Sequence, residues 1–349
     1  MIGRRALGVG AALFCGVLAC GRPAVTSAAL QSEAFGSAIE RLRRTYHIPG
    51  LSGVVLRGDS VLWEQSLGLR DLEAGTPATV GTLYHLASLT KPFAAAILMQ
   101  LVAEGKLRLE QPVADFGVAL EASDTVRVWH LMSHTSEGVP GTAYRYNGNR
   151  FGRLDTVLMR VTGKSFAQLF EERIRRPLGL RLTFPNPRDR TAFDVTGLDR
   201  AASAGLMAQG YDYSGALRNV PVEYPAHFGA AAGMISSPRE MARFSRALDG
   251  DQLLSSASRA RMFSAIVTPR GDTLPYGLGW FVQQIGGHAV QWHYGLWTGT
   301  STLIVRVPDR QLTFVLMANN EMLSAPFRLG AGQLSSSPFA AEFFRAFVR

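Results

Sequence analysis

The sequence predicts an α/β chain of the α+β kind: one antiparallel sheet built from both ends of the chain, flanked by helices and carrying a mostly helical insert. Three observations predict it. Residues 51–57 and 60–69 read as two strands around a Gly58-Asp59 turn, and residues 302–307 and 312–317 do the same around Pro308-Asp309-Arg310. The stretch 81–190 between them reads as mostly helical, with amphipathic pieces at 154–160 and 166–176 broken at Thr162-Gly163. Residues 338–348 read as a closing helix. The inserted subdomain is expected at about 107–224, and the hydrophobic content of 47% is ample for a core.

Taken in order, the chain opens on an export signal. Arg4 and Arg5 precede an apolar run from Ala6 to Ala19, with small residues just before Cys20. Val17-Leu18-Ala19-Cys20 resembles the lipobox at which bacterial lipoproteins are cut and lipidated on cysteine; a plain cut near Thr26-Ser27-Ala28 is the alternative. The expected organisation is a signal over 1–19, a tether over 20–34 and one domain over 35–349, placed at the cell envelope outside the cytoplasm, with an N-terminal lipid anchor as the expected membrane contact. Cys15 falls within the signal, so no internal disulfide is expected. Loss of residues 1–19 removes Arg4 and Arg5 and no acid, which takes the formal charge from +9 to +7. The basic residues are spread out, without lysine-rich runs or interleaved aromatics, so nucleic acid is not an expected partner.

Ser88-Leu89-Thr90-Lys91 is the most informative stretch. Residues three apart share a helix face, so the lysine nitrogen can reach the serine oxygen. Only three of the 36 basic residues are lysines, and this S-x-x-K spacing occurs once. Arginine cannot give up its proton, whereas a buried lysine can, and a neutral amine can activate a nucleophile. The run that follows, Pro92 to Ala103, is apolar nearly all round, which marks a fully buried helix too short to span a bilayer. Pro92 fits only near a helix start, and Gly105 supplies the stop. Partial positive charge at that start, together with burial, should lower the Lys91 pKa and stabilise an oxyanion beside Ser88.

Two further elements lie downstream: Tyr144-Arg145-Tyr146-Asn147-Gly148-Asn149 ahead of a helix, and His293-Tyr294-Gly295 ahead of a glycine-bordered strand at 299–307. On these residues the chain resembles the class C β-lactamase and D,D-peptidase family, including its esterase branch. The resemblance runs from about residue 35 to 319 and takes in LYHLASLTKPFAAAILMQLVAEGKL (83–107), HLMSHTS (130–136), VTGKSFAQLFEERIRRPLGL (161–180), YGLGW (276–280), and the WHYG and PDRQLTFVLMANN segments. It implies a β-lactamase/transpeptidase-like fold with Ser88 as acylated nucleophile and Lys91 as its proton partner. Tyr146, 17 residues before Gly163, matches the Y-x-N tyrosine and would share the acid and base work. It further implies that His293 and Gly295 form the substrate-binding K-T-G-like element, with His293 the basic group that steers substrate. The backbone N–H groups of Ser88 and Leu296 would form the oxyanion hole.

Two departures bear on specificity. Gly148 stands where the family has the Y-x-N asparagine, with Asn147 and Asn149 on either side, and Glu137 interrupts the usual H-T-S-G. Both alter the cleft rim and argue against efficient β-lactam turnover. Left to themselves, Tyr146 is equally a packed aromatic, His293 a satisfied core histidine, and Trp280 and Trp297 either cleft or core. His130 and His134 lie four apart but lack an acid partner, so a metal is not expected. Ser136 lacks the first glycine of a G-x-S-x-G elbow. The expectation is an exported serine hydrolase acting on a small-molecule or peptide substrate, an ester or amide, without cofactor. A D-amino-acid peptidase, a β-lactamase and a catalytically weak binding protein of the same fold are the alternatives.

Overall fold

The computed structural model describes residue 2, residues 27–213 and residues 217–348. Apart from residue 2, the expected signal lies outside the described residues, and so does Cys20. Helix α1 (Ser27–Thr45) starts within the expected tether and buries Phe35, Ala38 and Ile39. Residues 27–34 carry no apolar stripe of their own; once the 35–39 turn is packed, each further turn adds hydrogen bonds without a new nucleation cost. They are therefore helical.

Strands β1 (Gly50–Arg57), β2 (Ser60–Asp71) and β3 (Thr76–Pro77) form one side of the main sheet. The other side is β9 (Phe281–Ile285), β10 (His288–Trp297), β11 (Thr300–Val307) and β12 (Leu312–Ala318). The order is β3-β2-β1-β12-β11-β10-β9, and every pairing is antiparallel. The two ends of the chain meet at β1 and β12, where Leu51 lies opposite Ala318 and Arg57 opposite Leu312. The N-terminal hairpin and the β11–β12 pair stand where the sequence predicts them. Strand β9 was not predicted, and His293 to Gly295, which stand ahead of β11 as expected, are themselves part of a strand, β10.

Both faces of this sheet are covered. On β12, Phe314 and Leu316 face the layer made by α1 and the C-terminal helix Pro338–Phe343, while Val315 and Met317 face the other way. Burial on both sides explains why β11 and β12 are buried end to end and show no polar alternation. The second layer is centred on α2 (Lys91–Ala103), of which ten residues from Lys91 to Leu101 are buried. Phe93 at its start stacks on Phe244 with centroids 4.0 Å apart.

The insert is less helical than its pattern predicts. Helices α3 (Val128–Met132), α4 (Gly148–Gly152) and α5 (Leu154–Thr162) are short. A small sheet β4-β8-β5 joins β4 (Tyr84–His85), β5 (Phe184–Pro185) and β8 (Met234–Ser236), and β6 (Gly210–Asp212) pairs with β7 (Val220–Val222). Strands of two or three residues are too short to show period-two alternation, which is why they escape a sequence reading. Their role is positional: β4 and β8 clamp the turn that carries Ser88.

Candidate active site

Ser88 sits in a 3-10 turn, Ala87–Thr90, that runs directly into α2. The residue before it, Ala87, has φ of +47°, a left-handed conformation that costs a non-glycine residue about 1–2 kcal/mol. The turn is pinned around that strain. The Ala87 N–H donates to His85 Nδ1 at 3.1 Å, and Thr90 Oγ1 donates to the Ala87 carbonyl at 2.8 Å. Thr302 Oγ1, from β11, donates to the Leu86 carbonyl at 3.1 Å.

Lys91 is fully buried, with Nζ 2.9 Å from Ser88 Oγ and 2.9 Å from the Ala231 carbonyl. Burial lowers its pKa to about 7, so the neutral amine is well populated at neutral pH. A neutral amine has two N–H bonds and one lone pair. With one N–H given to the Ala231 carbonyl, the lone pair is free to face the Ser88 hydroxyl.

Tyr146 faces Lys91. Its ring centroid lies 5.1 Å from Lys91 Nζ and 4.2 Å from the His134 ring. His134, itself at φ +56°, accepts the Asn147 N–H on Nδ1 at 3.1 Å and so fixes the segment that carries the tyrosine. Burial raises the Tyr146 pKa well above 10; Tyr294 adds to the rise and the neighbouring Ser88 side chain opposes it. The resting group is therefore a phenol. Although Ser88 is near, the Tyr146 hydroxyl has no hydrogen-bond partner of ordinary geometry, and neither has His134 Nε2.

The residues around Gly148 divide the work. Asn147 caps α4: its Oδ1 accepts the Arg150 N–H at 3.0 Å and its Nδ2 donates to Glu137 Oε1 at 2.7 Å. Glu137, the residue that breaks the H-T-S-G pattern, thus holds the cap of the helix beside Tyr146. Gly148 and Asn149 line the cleft. A Cβ on Gly148 would lie 3.8 Å from Lys91 Nζ, an ordinary contact. Ser136 is buried and accepts Arg150 Nε–H at 2.8 Å.

The third element departs from expectation. His293 is fully buried: Nδ1 lies 2.7 Å from the Tyr294 carbonyl and Nε2 lies 2.8 Å from the Tyr276 hydroxyl. A carbonyl only accepts, so Nδ1 carries the proton and Nε2 accepts from Tyr276. Burial, with Lys91 nearby, lowers the His293 pKa well below 6.5. His293 is thus a neutral brace and steers no charge. Gly295 also packs rather than binds: a Cβ there would lie 2.0 Å from the Leu86 carbonyl oxygen and 2.4 Å from Thr302 Oγ1. Its bareness lets β10 lie against the Ser88 turn. Leu296 follows with a partly exposed side chain, and Trp297 lines the cleft, whereas Trp280 is core.

The cleft at Ser88 has a volume of about 510 Å³. Its wall also holds residues that sequence reasoning missed, among them Arg153, Asp155, His227 and Ala231. Ala231 acts through its carbonyl, which no side-chain motif reports, and Asp155 reads in sequence as an ordinary first-turn acid of α5. Among the described residues no group of three His, Cys, Asp or Glu could hold a metal ion, and none is long and apolar enough as a helix to cross a membrane.

A serine hydroxyl beside a lysine of lowered pKa, with a phenol facing it, has the parts that acyl transfer would use, and the comparisons with known proteins show the family. An unguisins hydrolase of Aspergillus campestris is 27% identical over 82% of this chain, although the match spans only 61% of that protein. Penicillin-binding protein 4* of Bacillus subtilis is 25% identical over 77% of this chain and 68% of its own length. The octameric penicillin-binding protein homologue from Pyrococcus abyssi shares the fold, with a TM-score of 0.74 at 21% identity over 88% of this chain and 80% of that one. The Beta-lactamase family model matches residues 35–331. The chain belongs to the Beta-lactamase family, as a serine hydrolase of its peptidase and esterase kind.

Proposed function

We propose that this protein is an exported serine hydrolase that cleaves a small ester or amide through an acyl-enzyme on Ser88. The observation that carries the reading is the 2.9 Å approach of Ser88 Oγ to a buried Lys91 whose pKa is near 7. In acylation Ser88 Oγ bonds to the substrate carbonyl carbon while its proton passes to Lys91 Nζ. The oxyanion is held by the backbone N–H groups of Ser88 and Leu296. The proton then reaches the leaving group by way of the Tyr146 phenol, which regains one from Lys91, and the scissile bond breaks. Water attacks the acyl carbon and gives its proton to the same pair, which passes it to Ser88 Oγ as the acyl bond breaks and the acid leaves. No step calls for a cofactor.

Ser88→Ala should abolish turnover and covalent labelling by an activated ester or phosphonate while leaving the circular dichroism unchanged. The wild type should gain one adduct, on the peptide containing Ser88. An adduct on Ser136 instead, or none, rejects the assignment, the latter in favour of a binding protein. Relatives named D-aminopeptidase, such as that of Brucella anthropi at 25% identity over 82% of this chain and 59% of its own length, favour a D-amino-acid amide as the second substrate reading. Export rests on the sequence alone. Labelled palmitate should be incorporated in a bacterial host and lost in Cys20→Ser; no incorporation by the wild type rejects the lipid anchor.

A further inference from the structure

Asp155 is a carboxylate in the cleft that the acyl-transfer steps do not use. It stands in the first turn of α5 and lines the same cleft as Ser88 and Lys91. Its Oδ1 accepts the Ala230 N–H at 2.9 Å. Its Oδ2 lies over Gly229: a Cβ on that glycine would be 2.5 Å from Oδ2 and 3.4 Å from His227 Nε2. Oδ2 thus packs against the Gly229 backbone where a side chain would otherwise stand, with His227 Nε2 close by, and Asp155 and His227 both face the cleft.

The chain has 36 Lys and Arg against 27 Asp and Glu, yet no cation shifts the titration of Asp155. Burial holds its carboxyl up at about 6, opposed only by the Ala230 bond. At neutral pH it is ionised and lacks a counter-charge, a costly state for a partly buried group. Arg153 belongs to the same cleft but is exposed at the rim, where solvent and salt screen it. A cationic hydrogen-bond donor brought by the substrate would offset the cost.

We propose that Asp155, with His227 beside it, forms a subsite for an ammonium group carried by the substrate, so that amine-bearing amides and esters are preferred. The inference rests on the acyl-enzyme reading of Ser88. Contacts from Asp155 through Ala230, Ala231 and Lys91 bound its distance from the Ser88 hydroxyl at about 16 Å, fewer than five extended residues. The amine thus belongs to a short substrate, such as an amino-acid or small peptide derivative.

The test uses p-nitroanilides of ω-amino acids of increasing chain length, each beside its N-acetylated twin, hydrolysed by the full chain at neutral pH. At one length or more the free amine should be preferred by about tenfold or more, the usual worth of a charge-assisted hydrogen bond. Asp155→Asn keeps the size and leaves an oxygen for the Ala230 N–H. In this variant kcat/KM for the amine should fall to that of its twin. No preference at any length in the wild type overturns the subsite, and so does an equal loss on both twins, which would mark Asp155 as a structural brace. Calorimetric binding of the same pairs to Ser88→Ala reads the subsite without chemistry. Equal affinity overturns it even where Ser88 acylates. Tighter binding of the amines without a Ser88 adduct in the wild type upholds the subsite while the acyl-enzyme reading fails.

Discussion

Lys91 is hydrogen-bonded both to Ser88 and to the Ala231 carbonyl, whereas the facing Tyr146 hydroxyl, with Ser88 near it, makes no hydrogen bond of ordinary geometry, and neither does His134 Nε2. The first side is complete in the resting protein. The second holds a phenol in place by ring contacts and backbone, yet leaves its one polar atom open beside Ser88. Burying an unpaired hydroxyl costs about 1–3 kcal/mol, and a substrate whose leaving atom meets Tyr146 would relieve that cost as the bond breaks. Under the proposed acyl-enzyme reading, the lysine side prepares the attack and the tyrosine side serves the departure.

The sharpest way to break this division is at Lys91. Lys91→Arg keeps the charge but cannot yield a proton, so it should be damaged about as badly as Lys91→Ala, losing on the order of 10²–10⁴ in kcat. On the proposed mechanism the neutral amine is the active form of the wild type. Activity should therefore rise with pH through about 7, falling about tenfold for each unit below that value. An arginine variant close to wild type, or a flat profile across this range, would return Lys91 to an anchoring role. Tyr146→Phe should lose somewhat less, about 10². If the phenol serves departure, the loss should shrink with p-nitrophenyl esters, whose leaving group needs no proton, and be fullest with amides. An equal loss on both would place Tyr146 in the attack. The smallest expected effect concerns the rim. Gly148→Asn has room at Cβ and should raise β-lactam acylation about two- to tenfold, the worth of one neutral hydrogen bond. Because Asn147 is committed to capping α4, equal acylation by variant and wild type would turn attention to Asn149.

Local signals explain what was legible. Ser88 and Lys91 are three residues apart, and α2 announces its burial by being apolar all round, so motif and environment occur in one stretch of sequence. The hairpins at Gly58-Asp59 and Pro308-Asp309-Arg310 are local in the same sense. What was not legible depends on partners far along the chain. Ala231 matters through a carbonyl aimed at Lys91, and Asp155 through its place beside Gly229 in the cleft. His293 was expected to face substrate because it occupies a motif slot. Its burial follows from β10 being covered on both faces, where Trp292, His293 and Tyr294 are all buried, and a single sequence does not reveal how many faces are covered. Likewise α1 extends into the expected tether because helix propagates from a packed turn, not because residues 27–34 carry a pattern.

The joining of β1 to β12 also sets a clock. A ribosome adding on the order of 10 residues per second needs roughly half a minute to pass from residue 50 to residue 318. Until then the first hairpin has no neighbour at its β1 edge. The two supports of the Ser88 turn that come from β10 and β11, the Gly295 approach and the Thr302 hydrogen bond to Leu86, arrive in that same late segment. A nascent chain therefore holds Ser88 and Lys91 without that frame until β10 and β11 have been made and have reached the turn.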